Sequence, residues 1–228
     1  MTLLDLLGRR WMLLVLWELR AEPLGFRALQ GVCNRMSSTV ADLAALGERW
    51  RGAAQGVDDL AVLLAGDRIG AGVFESGRLL HGSRGGFGEL GYVGPARGGQ
   101  GLSGLAALAR AWGGEAVRSA APTSLSEMCH NSPDDLTAEM VFAAAADGDH
   151  VALKILDRLT TSMARVIASL SILLNPALVV IGGAVAESAD AITPDLTARL
   201  STYTSTPPLV AVSRLATLSS RSEPSGTL

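Results

Sequence analysis

The stretch VDDLAVLLAGDRIGAGVFESGRLLHGSRGG, residues 57–86, decides the fold because it alternates short apolar runs with glycine-rich turns. The run LAVLLA is apolar and bounded by Asp and Gly, which is typical of a buried strand. The glycine-rich turn that follows it and the ESG triplet at 75–77 are typical connections between neighbouring strands. The stretch therefore predicts three consecutive strands.

A further buried strand is predicted at LVVIGG, residues 178–183, at the end of an uncharged run from Val166 to Ala186. That run is long enough to cross a membrane. However, Asn175-Pro176 interrupts it, and a proline breaks a helix at that point. We therefore predict a helix, an Asn-Pro turn and a buried strand, and no contact with a membrane.

The rest of the chain alternates helical patterns with polar connections. Asp147 or Asp149 is expected to cap the second of two helices that meet at DGD. The predicted fold class is α/β, with further helices at 43–54, 101–117, 136–174 (two) and 190–204, a loop at 119–135, a last strand at 209–215 and a disordered tail at 216–228.

Charge and cysteine content bound the function only loosely. The net charge is −3, but residues 1–51 hold seven Arg against five acids (7 − 5 = +2), which leaves 12 − 17 = −5 for the rest. A basic head on an acidic body is compatible with a DNA-binding head. Cys33 and Cys129 give neither a disulfide framework nor zinc spacing. With no signal peptide recognised at the N-terminus, we expect a cytoplasmic protein.

The first 40 residues predict short helices joined by turns. Apolar residues recur at helical spacing over 3–20, AEPLG makes a turn, and FRALQGV is a second short helix. Ser37 or Ser38 is a suitable N-cap for the helix that follows. This pattern predicts either a helix-turn-helix or a small helical cap.

The same segment resembles the opening of HxlR-type winged-helix transcription regulators. Those regulators show a GGRW turn, a leucine-rich helix that ends in EL, a turn, and then RFxxL followed by MS at the recognition helix. The resemblance covers about 35 residues and is carried by Gly8, Arg9, Arg10, Trp11, Glu18, Leu19, Pro23, Phe26, Arg27, Leu29, Met36 and Ser37.

This resemblance implies that the chain binds DNA. A recognition helix enters the major groove by its N-terminal residues, and short hydroxyls there meet phosphates or base edges while arginines hold the backbone. After Val40 the β-wing expected of such a regulator does not follow. The predicted DNA contacts are Arg27, Arg35, Ser37, Ser38 and Thr39.

The body, over roughly residues 41–212, resembles the ROK family of repressors and sugar kinases, carried by LAALGE, GELGY and NPALVVIGG. The resemblance implies an actin-like, two-lobed, nucleotide-binding fold. The family's opening DxGxT hairpin, which grips phosphate, is not found, so we expect a partial actin-like lobe that lacks most of the first lobe.

The kinases of this family carry their catalytic aspartate in an NDxN motif just before LAALGE. Val40 occupies the aspartate position here. A general base must accept the proton of the sugar hydroxyl, and a valine cannot. Asp42, two residues on, is not expected to replace it, so we expect no catalytic residue and no kinase activity.

The second phosphate loop of the family reads like GTGIGAG, and here it is GDRIGAG at 66–72. Asp67 would repel a phosphate, and Arg68 could compensate. Gly182 and Gly183 match a turn on the adenosine side of the family's site. The resemblance makes Gly66, Gly182 and Gly183 candidate nucleotide contacts, with a plain hairpin and close strand–helix packing as the alternatives.

Glu89 in GELGY matches a glutamate of the family that binds sugar hydroxyls, so we expect it to be the sugar contact. Tyr92 replaces the histidine of that motif, and the family's cysteine cluster is not found. No structural zinc, no other metal and no cofactor are therefore expected. His81, His130 and His150 are interpreted as solvated surface groups.

Three hypotheses remain open. The chain is a DNA-binding regulator with a sugar-binding body, a sugar kinase, or a degenerate product with no activity of its own. The regulator is preferred, with DNA as partner, a sugar as effector and a homodimer left open. The predicted domains are a truncated winged helix at 1–40, a partial ROK-type domain at 41–215 and the tail at 216–228.

Overall fold

A computed structural model describes residues 37–83, 86–90, 103–183 and 186–213. The predicted helices before Ser37 and the predicted tail lie outside this range. Helix α1 spans Ser37–Arg51, and strands β1, β2 and β3 follow at Leu60–Ala65, Ile69–Glu75 and Arg78–Leu79. The three consecutive strands predicted for residues 57–86 are thus confirmed.

The second half of the described chain is mainly helical. It contains α2 Leu105–Arg118, α3 Leu125–Met128, a 3₁₀ turn at Pro133–Asp135, α4 Ala138–Ala146, α5 His150–Leu174, β4 Leu178–Gly182, α6 Ala186–Ala189, α7 Thr193–Tyr203 and β5 Leu209–Val212. The segment predicted as a loop at 119–135 therefore includes α3 and the 3₁₀ turn. Of the two predicted caps, Asp149 caps α5 with its carboxylate.

The five strands form one mixed sheet in the order β3-β2-β1-β4-β5. Strand β1 pairs antiparallel with β2 and parallel with β4, and β4 pairs parallel with β5. The α/β fold class is confirmed. Strand β4 is buried at every residue, which explains its uninterrupted run of β-branched side chains.

The sheet is covered on both faces. Successive side chains of a strand point to opposite faces. Ala61 and Leu63 of β1 therefore join the larger core with helices α2, α4, α5 and α7. Leu60 and Val62 join a smaller core under α1. No helix of the described chain is long and apolar enough to cross a membrane.

Helix α5 ends as the sequence predicts. Asn175 adopts a left-handed conformation with φ 44° and ψ 52°, which terminates the helix. Pro176 follows, and the chain enters β4 at once. The uncharged run is thus divided into a helix and a strand at Asn175.

Helix α1 runs without a break across the predicted domain boundary between residues 40 and 41. Ala41 and Ala45 are fully buried against the sheet. The approach is close, because a Cβ atom on Gly72 of β2 would lie 2.2 Å from the carbonyl oxygen of Ala41. The large apolar side chains on the other face of α1 are exposed to between 44% and 73%, and they are Val40, Leu43, Leu46 and Trp50.

Candidate functional site

The candidate site begins where the parallel strands β1 and β4 end. The carboxyl ends of parallel strands form the crevice in which α/β proteins bind ligands. Gly183 has φ +102°, and a Cβ atom there would lie 3.5 Å from Ala65 N and 3.7 Å from Gly66 N. The structure therefore brings together the three glycines predicted to contact a nucleotide, Gly66, Gly182 and Gly183.

The loop after β1 is held by the start of α2. The N–H groups of Gly104 and Ala106 donate to the carbonyl oxygens of Asp67 and Gly66, at 3.1 Å each. Two amides at the helix start are thus bound to the loop instead of facing a ligand. By contrast, a Cβ atom on Gly66 would meet no heavy atom within 4 Å, so packing does not require glycine at this position.

Asp67 forms an ion pair across this loop. Its Oδ1 atom accepts a hydrogen bond of 2.5 Å from Arg110 Nη2 in α2. Both side chains are largely exposed, at 72% for Asp67 and 42% for Arg110. The compensation predicted from the neighbouring Arg68 stays a prediction, and the cation that pairs with Asp67 in the structure is Arg110. The spacing of 43 residues explains why the sequence did not indicate it.

A second polar pair lies beside α1. His81, just after β3, contacts Asp42 of α1 with 3.0 Å between Nδ1 and Oδ2. Burial raises the pKa of Asp42, and the hydrogen bond and charge of His81 lower it, but burial prevails. No donor in the described residues reaches Asp42 Oδ1, which is buried. His81 is exposed at the surface, as predicted, but it also pairs with Asp42, which the sequence did not indicate.

The pair was missed because it joins residues 39 positions apart. One feature of the sequence could have indicated that Asp42 needs a partner. Asp42 and Ala45 are spaced i and i+3, which places them on neighbouring positions of one helix face. An acidic residue on the face that packs against a sheet needs a partner there.

Glu89 is half-buried on a short segment fixed by β2. Ala71 N donates to Gly88 O at 2.8 Å. Gly88 has φ +81°, and a Cβ atom on it would lie 1.8 Å from Ala71 O, so only glycine fits. Phe87 N also donates to His81 O at 3.4 Å. The backbone beside Glu89 is thus joined to β2 at Gly88 and to His81 at Phe87.

Only some of the other predicted site residues lie within the described part of the chain. Ser37, Ser38 and Thr39 form the first turn of α1, while Arg27 and Arg35 lie outside the described residues. Val40, at the position where the kinases carry their aspartate, is 50% exposed. Within the described residues, no group of three or more His, Cys, Asp or Glu side chains could hold a metal ion.

A separate groove lies along α5. None of the predicted site residues lines it, but Leu90, the neighbour of Glu89 in sequence, does. Its volume is about 590 Å³. Arg158 stacks on Trp112, with 4.0 Å from the guanidinium carbon to the ring centroid. The lining combines apolar, hydroxyl and charged side chains, namely Leu90, Trp112, Asp157, Arg158, Thr161, Ser162, Arg165, Val166, Ser169, Leu170 and Leu173.

Comparison with known proteins gives a consistent picture. A family model described as ROK family matches residues 33–227. A glucokinase of Halalkalibacterium halodurans is 34% identical over 160 residues, which are 66% of this chain and 48% of that protein. The chain spans about half the length of the curated relatives it matches.

Solved structures of both a regulator and a kinase resemble the chain. A ROK family transcriptional regulator, a homolog of the E. coli MLC protein, has a TM-score of 0.66 and 25% identity, covering 76% of this chain and 46% of that one. A ROK family glucokinase from Streptomyces griseus, in complex with glucose and AMPPNP, has a TM-score of 0.64 and 25% identity, covering 75% and 60%. The fold therefore does not separate the two activities.

Proposed function

This chain belongs to the ROK family, and we propose that it is a sugar-responsive, DNA-binding transcription regulator that does not phosphorylate its sugar. The observation that carries the proposal is Val40, a half-exposed hydrocarbon side chain at the position of the kinases' catalytic aspartate. Without an acceptor there, the sugar hydroxyl has no base at the family's usual position.

The phosphate loop supports the same proposal. Asp67 brings a negative charge to the end of β1, where a nucleotide's phosphates would lie, and its partner Arg110 is tied to it. The helix α2 amides of Gly104 and Ala106 are also engaged by the loop. Phosphoryl transfer depends on positioned phosphates and metal, and these features oppose such positioning.

The DNA-binding part of the proposal rests on the resemblance of the first 40 residues to HxlR-type heads. Within it, Arg27 and Arg35 are the proposed backbone contacts, and Ser37, Ser38 and Thr39 enter the groove at the start of α1. The likeness to a ROK transcriptional regulator supports this reading. A sugar effector would bind at Glu89, and a homodimer would match a two-fold symmetric operator.

The test is fluorescence anisotropy of the full chain with DNA from upstream of its own gene, at two salt concentrations and with unrelated DNA as competitor. We expect binding that survives the competitor and weakens with salt, because phosphate contacts release counterions. Arg27→Ala with Arg35→Ala should weaken it, and the matched exposed pair Arg118→Ala with Arg78→Ala should not. Binding that is absent or wholly competed away contradicts the regulator.

A second candidate is ATP-dependent phosphorylation of a hexose. The pairing of His81 with Asp42 favours it, since this pair places a possible base two residues from Val40. The glucokinase relatives also support it. A coupled ATP assay with hexoses decides the question. Turnover that is lost in Glu89→Ala would establish the kinase, and its absence in a folded protein that binds DNA would exclude it.

A further inference from the structure

The Asp42–His81 pair has the geometry of an oriented imidazole. Asp42 Oδ2 lies 3.0 Å from His81 Nδ1, the Asp42 side chain is only 13% exposed and that of His81 is 61% exposed. When ionised, a carboxylate accepts hydrogen bonds and donates none, so Nδ1 carries the hydrogen in this pair. In the neutral imidazole, the second ring nitrogen, Nε2, then presents its lone pair as an acceptor.

A purely structural pair would leave the carboxylate better satisfied than it is here. Buried polar atoms in folded proteins nearly always have a hydrogen-bond partner. Asp42 Oδ1 has none among the described residues, although the carboxylate lies on α1 against the sheet. An unpaired buried oxygen calls for an explanation, and a role in binding or chemistry is one of them.

The surroundings of His81 indicate what it could bind. Its carbonyl oxygen accepts from Phe87 N, and Gly88, which lies between Phe87 and Glu89, accepts from Ala71 N of β2. Val40 lies two residues before Asp42 and is half exposed. A neutral sugar presents hydroxyl hydrogens to acceptors and C–H groups to an apolar side chain. The carboxylate of Asp42, 3.0 Å from the imidazole, disfavours an anionic ligand at His81.

We propose that His81, oriented by Asp42, is a hydroxyl-binding residue of the sugar site and accepts a hydroxyl hydrogen of a neutral hexose at Nε2. This inference rests on the proposed sugar-binding function and adds to it a contact that Glu89 alone would not supply. His81 is the ligand-binding residue, and Asp42 is a positioning residue that acts through the imidazole.

The experiment uses the three histidines of the chain, His81, His130 and His150. The full-length protein carries isotope-labelled histidine, and D-glucose, D-mannose, D-galactose and N-acetyl-D-mannosamine are titrated in turn while imidazole resonances and calorimetric heats are recorded. We expect one of these sugars to shift the His81 resonances and leave those of His130 and His150 in place.

Variants separate binding from folding. His81→Ala should weaken the sugar about fivefold, as expected for the loss of one hydrogen bond, while the exposed control His150→Ala should not. Circular dichroism and thermal melting establish that each variant is folded. Asp42→Asn should change the balance of His81 tautomers in long-range proton–nitrogen spectra and weaken sugar binding with it, whereas the loss of a merely structural partner would leave the sugar affinity of the folded protein unchanged.

The two proposals fail in different ways. If a sugar binds but the His81 resonances do not move and His81→Ala binds equally well, this inference is overturned and the sugar-responsive regulator stands. If none of the four sugars binds to the folded protein, both the sugar effector and the role of His81 are overturned. A shift of His81 together with weaker binding by His81→Ala supports both.

Discussion

The carboxylate of Glu48 in α1 accepts a hydrogen bond from the hydroxyl of Ser213, which directly follows β5 near the end of the described chain. Its other oxygen, Oε2, accepts from Ala53 N at 2.8 Å. The Glu48 residue is only 2% exposed and Ser213 is 7% exposed. This hydrogen bond therefore links the helix that carries Val40 and Asp42 to the end of β5, an edge strand of the sheet.

Glu48→Ala should destabilise the protein by about 2–3 kcal/mol, because it removes the carboxylate that accepts from the buried Ser213 hydroxyl and from Ala53 N. Glu48→Gln should cost less, since its amide oxygen can still accept one of the two hydrogen bonds. The urea midpoint measures the change, and exposed Glu115 of α2, changed to Ala, serves as the control. Equal midpoints for Glu48→Ala and Glu115→Ala would rule out this role.

Asp149 should contribute both to helix capping and to acid sensitivity. Its carboxylate accepts from Val151 N and Ala152 N at the start of α5, and from Ser124 N and the Thr123 hydroxyl. Asp149→Ala should cost about 2 kcal/mol, the upper range for a lost cap. Asp149→Asn should cost less, and Asp147→Ala, at an exposed position two residues earlier, is the control in urea unfolding.

The pH dependence follows from the charge of the same residue. Burial alone would raise the pKa of Asp149, but hydrogen bonds from Ala152, Ser124 and Thr123 outweigh it and lower the pKa to about 2. The folded value lies below the ordinary 3.8, so the stabilisation is complete above 3.8 and is lost as the pH falls through 2. The difference in urea midpoint between the wild type and Asp149→Asn should therefore narrow as the pH falls from 3.8 to 2. A difference that stays constant over this pH range would contradict the stabilising role of the Asp149 charge.

Asp67→Asn should strengthen the binding of ATP. Removing the carboxylate takes away its repulsion and frees Arg110, and one exposed charge a few ångströms from a phosphate is worth about 1 kcal/mol. We therefore expect about a fivefold gain in affinity at low salt, measured by calorimetry. The matched control is Asp58→Asn, because Asp58 is also exposed and forms a 2.6 Å pair with Arg49. Equal affinities of the two variants for ATP would indicate that the loop after β1 does not contribute to nucleotide binding.

Gly72→Ala should destabilise the protein by about 1–3 kcal/mol, the range for overpacking a closely packed contact. Its added methyl would lie 2.2 Å from Ala41 O, so α1 would have to move away from β2. Gly66→Ala, in a loop with open space, should be nearly neutral in the same thermal unfolding measurement. A neutral Gly72→Ala would indicate that α1 is not held against β2 as described.

The features that the sequence predicted correctly are those encoded locally. The ESG turn lies between β2 and β3, Asn175-Pro176 lies between α5 and β4, and Asp149 caps the helix that begins at the next residue. Each depends on side chains within a few positions of one another, where turn and capping preferences act directly.

The contacts that the sequence did not predict join distant positions. Asp42 meets His81, Asp67 meets Arg110, and Glu48 meets Ser213, and each pair depends on how α1, α2 and the sheet are packed. Spacing along one chain does not determine such packing. Glu89 was identified through a resemblance, and its role as a sugar contact stays a prediction.

The order of the strands in the sheet also has a consequence for the time course of folding. Strands β1 and β2 are neighbours in sequence and can pair early, but the parallel partner of β1 is β4, which lies beyond α5. Pairing between distant segments is slow because a long loop must close first. Until β4 arrives, one edge of the apolar strand β1 stays open to other chains. Recovery after refolding should therefore fall steeply as protein concentration rises.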